Sequence, residues 1–422
     1  MRKLLPILLA SVSFAEGPYT LDDCRRLARE RNADVATARM ELDGAGETRK
    51  AAFTKYFPQV SATGAILAAD KPLIDMAAMG LELGQHANVL ALMVQQPLFA
   101  GGRIFNGNRL AALGEDVARD KVTLAERDAV AQAEEKYWTL LSLQEKKRTL
   151  AAYDTLLGAL QAQVDDAVDH GLASRNDKLK VGLKRGEVRV NRLQLESGLR
   201  LASRDLRQHL GLSEDTTLPL SDTLAAVQDP SRLADLRQGA VDRRVESHLL
   251  AQGVRAEQLQ ADLESGTRLP TVAVGAQAFR AELKGMSDPV KNVVVFGMVS
   301  VPISDVWGET YSTEAKKVKV REATLRESQM RRKIGLGVDK DWDDLARAYQ
   351  SNLVSEDAVV QADENLKVEA DRYRNGISSL SDLLDAQALR QQSLDKRVDS
   401  RKEYWMARNS YLRSTVHSEG SH

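Results

Sequence analysis

GLASRND, residues 171–177, returns as GISSLSD at residues 376–382, and both segments have the form G-x-x-S-x-x-D. They stand 205 residues apart, from 171 to 376, and the same offset carries Pro97 onto Pro302. The chain length between the proline and the glycine is therefore equal in the two copies. This pattern predicts two tandem structural repeats in which the length of one segment is preserved.

Each G-x-x-S-x-x-D segment predicts a turn between two antiparallel helices. The glycine suits the left-handed backbone position just after a helix end, where a side chain would clash. The serine suits the N-cap of the following helix, and the aspartate falls at its third position, where the carboxylate completes a capping box. We therefore predict helix reversals at 171–177 and 376–382.

Long helical segments precede both turns. No proline occurs between Pro97 and Pro219 or after Pro302, and an interior proline would cost a helix ~3 kcal/mol. At 1.5 Å per residue, the ~70 residues before each turn would span on the order of 100 Å. Apolar residues recur by threes, fours and sevens, which predicts a coiled-coil seam. The seam residues are Leu110, Leu113, Val117, Leu124, Leu150, Tyr153, Leu157, Leu160 and Val164, and less regularly Trp342, Leu345, Tyr349, Leu366, Tyr373, Leu380, Leu384 and Leu389.

Two segments that begin at a proline predict one β-hairpin per repeat, at about 58–98 and about 270–303. Four strands of roughly 10 residues have the length of tilted transmembrane β-strands. Open sheet edges are not tolerated in lipid, and the smallest single-chain barrels have about eight strands. Closure therefore needs several copies, and three copies would give twelve strands.

Composition argues against several classes of protein. Lys and Arg total 59 against 60 for Asp and Glu, so no excess of positive charge favours nucleic acid. The single cysteine, Cys24, allows no intrachain disulfide, and the six histidines lack metal-ligand spacing. An exported hydrolase is disfavoured because nucleophile-elbow and metalloprotease patterns are missing. The sequence predicts no enzyme, catalytic residue, metal site or cofactor.

The N-terminus predicts a secretory signal peptide at 1–15, with Arg2-Lys3, an apolar run through Leu9 and cleavage after Ala15. No later run reaches the ~18 to 20 apolar residues of a membrane-spanning helix. We expect an exported chain without a helical anchor.

The sequence resembles the TolC family of outer-membrane efflux proteins, the outer membrane factors of tripartite efflux or type I secretion systems. The resemblance covers essentially the whole mature chain and rests on the order and spacing of short segments. These are YTLDD (19–23), YFP (56–58), QPLFAGG (96–102), VSVPI (299–303) and the two G-x-x-S-x-x-D segments. It implies a mainly α fold with a small β part. Long antiparallel coiled-coil helices would form an α-barrel, and four strands per chain would contribute to a trimeric 12-stranded β-barrel.

This resemblance suggests a division of the chain into five parts. They are the signal peptide at 1–15, repeat 1 at 16–217, an equatorial linker at 218–235, repeat 2 at 236–415 and a short C-terminal tail at 416–422. Each repeat is expected to hold a helix, a β-hairpin and a long helical hairpin whose tip is a G-x-x-S-x-x-D segment.

The function implied is an exit duct in the cell outer membrane, extending into the periplasm and passing small molecules or polypeptides outward. Its expected partners are further copies of the chain in a homotrimer, outer-membrane lipid, a periplasmic adaptor (membrane fusion protein) and an inner-membrane pump of the RND, ABC or MFS type. The alternative is an exported periplasmic coiled-coil scaffold without a channel. The 28% of charged residues suit such a scaffold, but it has no use for two hairpins.

The resemblance places adaptor docking at the two tips, which would face the periplasm. Small residues there would allow close helix approach, and two exposed aliphatic side chains would supply apolar contact. The expected docking residues are Gly171, Leu172, Ala173, Ser174, Gly376, Ile377, Ser378 and Ser379.

The tips are also expected to form the periplasmic gate. Asp382 and Asp385 share one helical face, and threefold symmetry would bring six carboxylates around the axis, matching the aspartate rings of the family. Crowded carboxylates raise their own pKa or recruit cations, which predicts closure sensitive to pH and divalent ions. Tyr373 matches the family tyrosine that links this hairpin to the first-tip aspartate, here Asp177.

Each gate residue has a second interpretation. Asp382 also fits a helix cap alone, Asp385 an ordinary solvated face, and Tyr373 an aromatic residue of the seam. Asp385 corresponds to Lys180 in the first repeat, so the repeats differ where a pore lining would need them to differ. Ser378 stands where family members place a latch arginine, for which Arg374 and Arg175 are the alternatives.

Overall fold

The computed structural model describes residues 18–68, 70, 74–76, 81–83, 86–213, 218–283, 288–303 and 306–415. The predicted signal peptide and the C-terminal tail lie outside this range. Within it, no helix combines the length and the hydropathy that crossing a lipid bilayer requires.

Helices dominate the described chain. Their bounds are α1 Leu21–Arg31, α2 Ala33–Phe53, α3 Arg103–Asp169, α4 Arg175–His209, α5 Ala240–Arg243, α6 Val245–Gly266, α7 Val306–Arg374 and α8 Leu380–Ser414. The helices α3 and α7, of 67 and 69 residues, fill the proline-free stretches and each ends at a predicted turn. A 3-10 helix, Pro230–Arg237, begins within the predicted linker 218–235.

The two predicted hairpins form one antiparallel sheet of four strands. The strands are β1 Gln59–Ala68, β4 His86–Ala100, β5 Thr271–Leu283 and β6 Val290–Ser300, paired in the order β1-β4-β5-β6. The first and second hairpins therefore join through β4 and β5. Leu98 bulges out of the β4 and β5 pairing. The described part of the sheet leaves β1 and β6 as edge strands.

Between β1 and β4, the first hairpin contains two short strands that the sequence analysis missed. These strands, β2 Ile74–Met76 and β3 Leu81–Leu83, pair with each other in a separate two-stranded sheet. Three residues per strand are too few for a periodicity to be recognised in the sequence.

Glycines permit two close backbone approaches in this part of the fold. A Cβ on Gly266, at the end of α6, would lie 2.4 Å from the carbonyl oxygen of Gly101, which follows β4 and has a φ of 63°. In the sheet, a Cβ on Gly275 would lie 2.6 Å from the ring of Phe296 on the neighbouring strand. Side chains at these positions would force strands or helix ends apart.

The described chain packs as two compact units, and each unit takes segments from both halves of the sequence. Unit 1 comprises the described parts of Met1–Thr37, Thr123–Arg244 and Arg332–His422. Unit 2 comprises those of Ala38–Val122 and Val245–Arg331, and it contains the sheet. The two predicted repeats are thus interleaved within each unit.

In unit 1, polar contacts above the tips give four helices the order α4, α3, α8, α7, whereas at the tips α4 also contacts α8 directly. Polar contacts join each neighbouring pair. They are Lys136 to Asp205 at 2.5 Å between α3 and α4, Lys146 to Asp399 at 2.8 Å between α3 and α8, and Asn352 to Ser400 at 3.0 Å between α7 and α8. The helices α4 and α7 therefore form the two margins of this layer.

The predicted seam is partly right. Leu150, Leu157 and Leu160 are buried with Tyr153 and Val164, and Leu345, Leu380 and Leu384 are buried in the second stretch. The prediction that Leu389 belongs to the seam is wrong, because its side chain is 49% exposed. The buried side of α8 near this position is formed by Ala386, Gln387 and Gln391. The spacing of the leucines therefore did not identify the buried residues in this part of the helix.

The linker is held against α8 by aromatic side chains. Tyr404 donates a hydrogen bond to the carbonyl of Gln228 at 2.6 Å, and Tyr411 donates one to the carbonyl of Leu233 at 2.8 Å. Burial raises the pKa of both phenols. Trp405 adds a bond to Ala225 at 3.3 Å. An irregular segment thus finds partners for its backbone polar groups.

Candidate gate and docking tips

Both predicted turns are helix reversals of the same kind, which confirms the local geometry. Gly171 and Gly376 have φ values of 73° and 71°. After α3, the N–H of Leu172 donates to the carbonyl of Ala167 at 2.7 Å. After α7, the N–H of Ile377 donates to the carbonyl of Arg372 at 2.8 Å. Each glycine thus ends its helix in a Schellman motif, which satisfies carbonyls left over at the helix end.

A capping box opens the helix after each turn. Ser174 and Ser379 are the N-caps of α4 and α8, and their hydroxyls accept from the N–H groups of Asp177 and Asp382. The two carboxylates accept in return from the N–H groups of the serines, at 3.3 and 3.0 Å. The same arrangement of Thr20 with the aspartate three residues later opens α1. Asp382 therefore does have the capping role that was its second interpretation.

This cap also sets the acidity of Asp382. The hydrogen bond from the Ser379 hydroxyl, then the bond from the Ser379 N–H, holds the pKa of the carboxyl below its ordinary value. The positive charge of Arg372 acts in the same direction. In one copy of the chain Asp382 is therefore a stabilised anion, because hydrogen bonds to the charged form favour it.

The tips rest on one apolar cluster. Leu157 and Val164 of α3, Val181 of α4, and Leu380 and Leu384 of α8 are buried together. The end of α7 adds Tyr373 to the edge of this cluster. Both turns are thus tied to the same packed base.

Lys180 links the first tip to the second, a role that the sequence analysis did not assign. Its Nζ donates to the hydroxyl of Ser381 at 2.8 Å and lies 4.0 Å from the Asp177 carboxylate. The position was visible in the sequence only as the counterpart of Asp385. The signal available in the sequence was the opposite charge of Lys180 and Asp385, which occupy equivalent positions of α4 and α8 in the two repeats.

Tyr373 lies near Asp177 without a hydrogen bond between them in the described chain. Burial, followed by the negative charge of Asp177, raises the pKa of the phenol. The side chain is half-buried against the apolar cluster. In this state it acts as a seam aromatic.

Asp385 is exposed one turn beyond Asp382. No described residue gives it a hydrogen bond or an ion pair. It therefore differs from Asp382 and Asp177, whose carboxylates are held by their caps.

The expected docking residues lie on the two turns. Leu172 and Ile377 are 83% and 67% exposed, although both are large apolar side chains. The glycines, Ser174 and Ser379 are exposed beside them, whereas Ala173 and Ser378 are half-buried. Each tip therefore presents one aliphatic side chain flanked by small residues.

The alternatives for the latch arginine differ in their contacts. Arg374 pairs with Asp371 of its own helix and donates to the carbonyl of Ala370. Arg175 is exposed and has no ion pair with the described residues.

Among the described residues, no cluster of His, Cys, Asp and Glu is arranged to hold a metal ion.

The arrangement of these elements defines the fold of the protein. Long paired helices with two capped tips, joined to a small antiparallel sheet whose strands come from both halves of the chain, are the fold of TolC-like outer-membrane efflux channels. No protein-family model matches the sequence, and no curated protein matches it significantly.

The fold is similar to those of several solved structures. The outer-membrane channel OprN superposes with a TM-score of 0.79 at 16% identity, over 94% of this chain and 90% of that one. The outer membrane protein VceC of Vibrio cholerae gives 0.79 at 14% identity, over 94% and 96%. The outer membrane channel CmeC of Campylobacter jejuni gives 0.80 at 11% identity, over 95% and 87%. At these identities the likeness establishes the fold.

Proposed function

We propose that the protein is the outer-membrane exit duct of a tripartite efflux or type I secretion system, built as a homotrimer. The observation that carries this proposal is the likeness to outer-membrane channels along nearly the whole chain. The duct passes small molecules or polypeptides from the periplasm outward and does no covalent chemistry. We propose the repeat boundaries 16–217 and 236–415, with the linker at 218–235 between them.

The marginal helix α4 supports assembly from several copies. Val181, Val188 and Leu206 face its own layer. On the opposite side, a second apolar stripe is exposed at Leu179, Leu183, Val190, Leu193 and Leu201, which are 53 to 73% exposed. A helix with two opposed apolar faces needs a neighbour on each side.

The other marginal helix, α7, offers a matching surface. Val354, Val360 and Val368 are 44 to 69% exposed, although all three are apolar. Val190 of α4 and Val360 lie at nearly the same distance along the chain from their turns. In α4, ten Lys and Arg stand against four Asp and Glu, whereas 339–374 of α7 has ten acidic against five basic residues. We propose that α4 of one copy packs on α7 of the next, which closes the helical wall.

The register of the four-stranded sheet supports a position in lipid. Pairing places Val60, Val94, Ala276 and Val295 in one row on one face. The next row on that face holds Ala62, Leu92, Ala278 and Val293. The opposite face carries most of the polar strand residues, among them Gln59, Ser61, Thr63, Gln95, Gln277 and Asn292. One apolar and one polar face are typical of strands in a membrane barrel, and three copies would supply twelve strands.

The tips are proposed to face the periplasm and to serve both as gate and as docking site. Asp382 and Asp385 of three copies would surround the axis, and Lys180 would hold the closed position through Ser381. Leu172 and Ile377 would dock a periplasmic adaptor, which connects the duct to an inner-membrane pump. The crowding of carboxylates in a trimer would oppose the pKa lowering that the Ser379 cap causes within one copy.

Single-channel recording in planar bilayers tests the duct and its gate. D382R/D385R is expected to raise conductance at low voltage, because like positive charges and the loss of the Asp382 cap would loosen the constriction. The matched control is D166R/D169R, which makes the same charge change with the same spacing beside the first tip. Unchanged conductance in D382R/D385R would exclude the gate, and no channels from the wild-type protein would favour the scaffold without a channel.

A further inference from the structure

A pair of basic residues interrupts the apolar face of the sheet at one level. On β5 this face runs Val272, Val274, Ala276, Ala278 and then Arg280. On β6 it runs Val299, Gly297, Val295, Val293 and then Lys291. Arg280 and Lys291 stand directly opposite each other in the register.

The pair lies toward the hairpin end of the strands, away from the helices that flank the sheet. From Thr271 to Arg280 the strand rises ~30 Å at ~3.3 Å per residue. A tilt of ~40° would reduce this to ~23 Å, close to the ~25 Å height of the apolar band in membrane barrels. Charges on a lipid-facing surface are tolerated near the interface and are costly at the midplane. The basic pair therefore marks the headgroup level of the leaflet on the hairpin side.

A groove of about 630 Å³ lies at this pair. Its apolar residues include Leu90, Leu92 and Val293, and Arg280 and Lys291 form its charged part. Arg280 binds Glu282 at 2.6 Å, and Lys291 has no ion pair with the described residues. Like charges directly opposite on neighbouring strands repel each other, and the Glu282 carboxylate is paired with Arg280 alone, so a further anion at this pair would be favourable.

We propose that Arg280 and Lys291 bind the phosphorylated headgroup of an outer-membrane lipid, with an acyl chain against Leu92 and Val293. Guanidinium and ammonium groups bind phosphate oxygens through charge-assisted hydrogen bonds, and the apolar groove next to them suits a hydrocarbon chain. A soluble anion would use the charges but leave the groove empty. The inference rests on the proposed position of the sheet in the outer membrane.

Native mass spectrometry of the full-length protein in neutral detergent tests the site. The probes are bisphosphorylated lipid A and the same lipid after enzymatic dephosphorylation. We expect the wild-type protein to bind the phosphorylated form ~10-fold better, which corresponds to the loss of charge-assisted hydrogen bonds. R280Q/K291Q should lose this preference, and the matched control K319Q/R321Q on α7 should retain it. R280K/K291R should retain most of it.

The outcomes separate the alternatives. Equal binding of both lipids by the wild-type protein overturns the proposal, whether or not R280Q/K291Q folds. Loss of lipid binding when equimolar inorganic phosphate is added overturns the assignment to a lipid and leaves a simple anion site. Channel recordings on the same samples separate this proposal from the duct itself, since R280Q/K291Q should keep the wild-type conductance.

Discussion

At the scale of single residues, Cys24 is the one cysteine of the chain, and its side chain is completely buried. Burial, with the negative charges of Asp23 and Asp222, raises its pKa to about 12. Thiolate is the reactive form, so the native thiol should stay unmodified. Treatment with a maleimide at pH 8 should label the protein only after denaturation, as read by intact mass. Rapid labelling of the native protein would show that the N-terminal helix is not packed as described.

The Ser379 cap leads to a second prediction. S379A should weaken the start of α8 by ~1 kcal/mol, because an N-cap hydroxyl is lost. Hydrogen exchange should show faster local opening of the first turn of α8, with little change in S378A, whose hydroxyl makes only a 3.5 Å contact with the Glu369 carbonyl. Equal effects of the two changes would contradict the cap.

The pH dependence of this cap follows from the lowered pKa of Asp382. A depressed folded pKa means that the stabilisation is present above the unfolded value and is lost as pH falls through the folded value. Exchange protection at the start of α8 should therefore fall below about pH 3.8, the ordinary value of the carboxyl. D382N should show lower protection at neutral pH and lack this acid transition. A transition that persists in D382N would assign it to another group.

Lys180 carries the prediction most specific to this chain. K180M removes the bond to Ser381 and the approach to Asp177, so the proposed closed state should be populated less and the resting conductance should rise. K178M is the matched control, because Lys178 pairs with Asp165 within the first helical hairpin. A similar rise in both variants would indicate a general loss of positive charge.

At the scale of elements, the linker is the segment whose order depends on another element. Y404F and Y411F each remove a hydrogen bond to a linker carbonyl, at a cost of ~1 to 3 kcal/mol if the carbonyl stays buried. Limited proteolysis should cleave the linker faster in these variants. Y349F, which removes a phenol of the neighbouring helix that makes no hydrogen bond in the described chain, should cleave at the wild-type rate. No change in Y404F and Y411F would mean that packing alone holds the segment.

The sequence allowed the regular elements to be predicted because their signals are local. The G-x-x-S-x-x-D segments specify a left-handed residue, an N-cap and an acidic third position, and all three occur as predicted. The proline-free stretches likewise mark α3 and α7. The short strands β2 and β3 were missed because three residues carry no period, and Leu389 was misplaced because alanine and glutamine occupy the buried side of α8.

The candidate site was only partly predictable. Caps are local, so Asp177 and Asp382 could be placed from their spacing alone. The contact of Lys180 with Ser381 joins residues 201 positions apart, and spacing within one repeat does not report it. The gate and docking roles concern several copies and stay predictions.

At the scale of the whole molecule, we propose that one chain supplies only part of a helical wall. Its sheet has two edge strands among the described residues. Its marginal helices α4 and α7 expose apolar side chains, and α4 and residues 339–374 of α7 carry opposite net charges. A duct follows only if copies meet along these margins.

Disulfide cross-linking of V190C/V360C in a Cys24→Ala background tests this most directly. Oxidation of the membrane-embedded protein should give covalent dimers and trimers and no larger species, since α4 of each copy meets α7 of the next around a closed ring. V188C/V360C, which moves the first thiol to the buried side of α4, should give none. Products confined to the monomer, or a ladder that continues beyond three copies, would contradict the account.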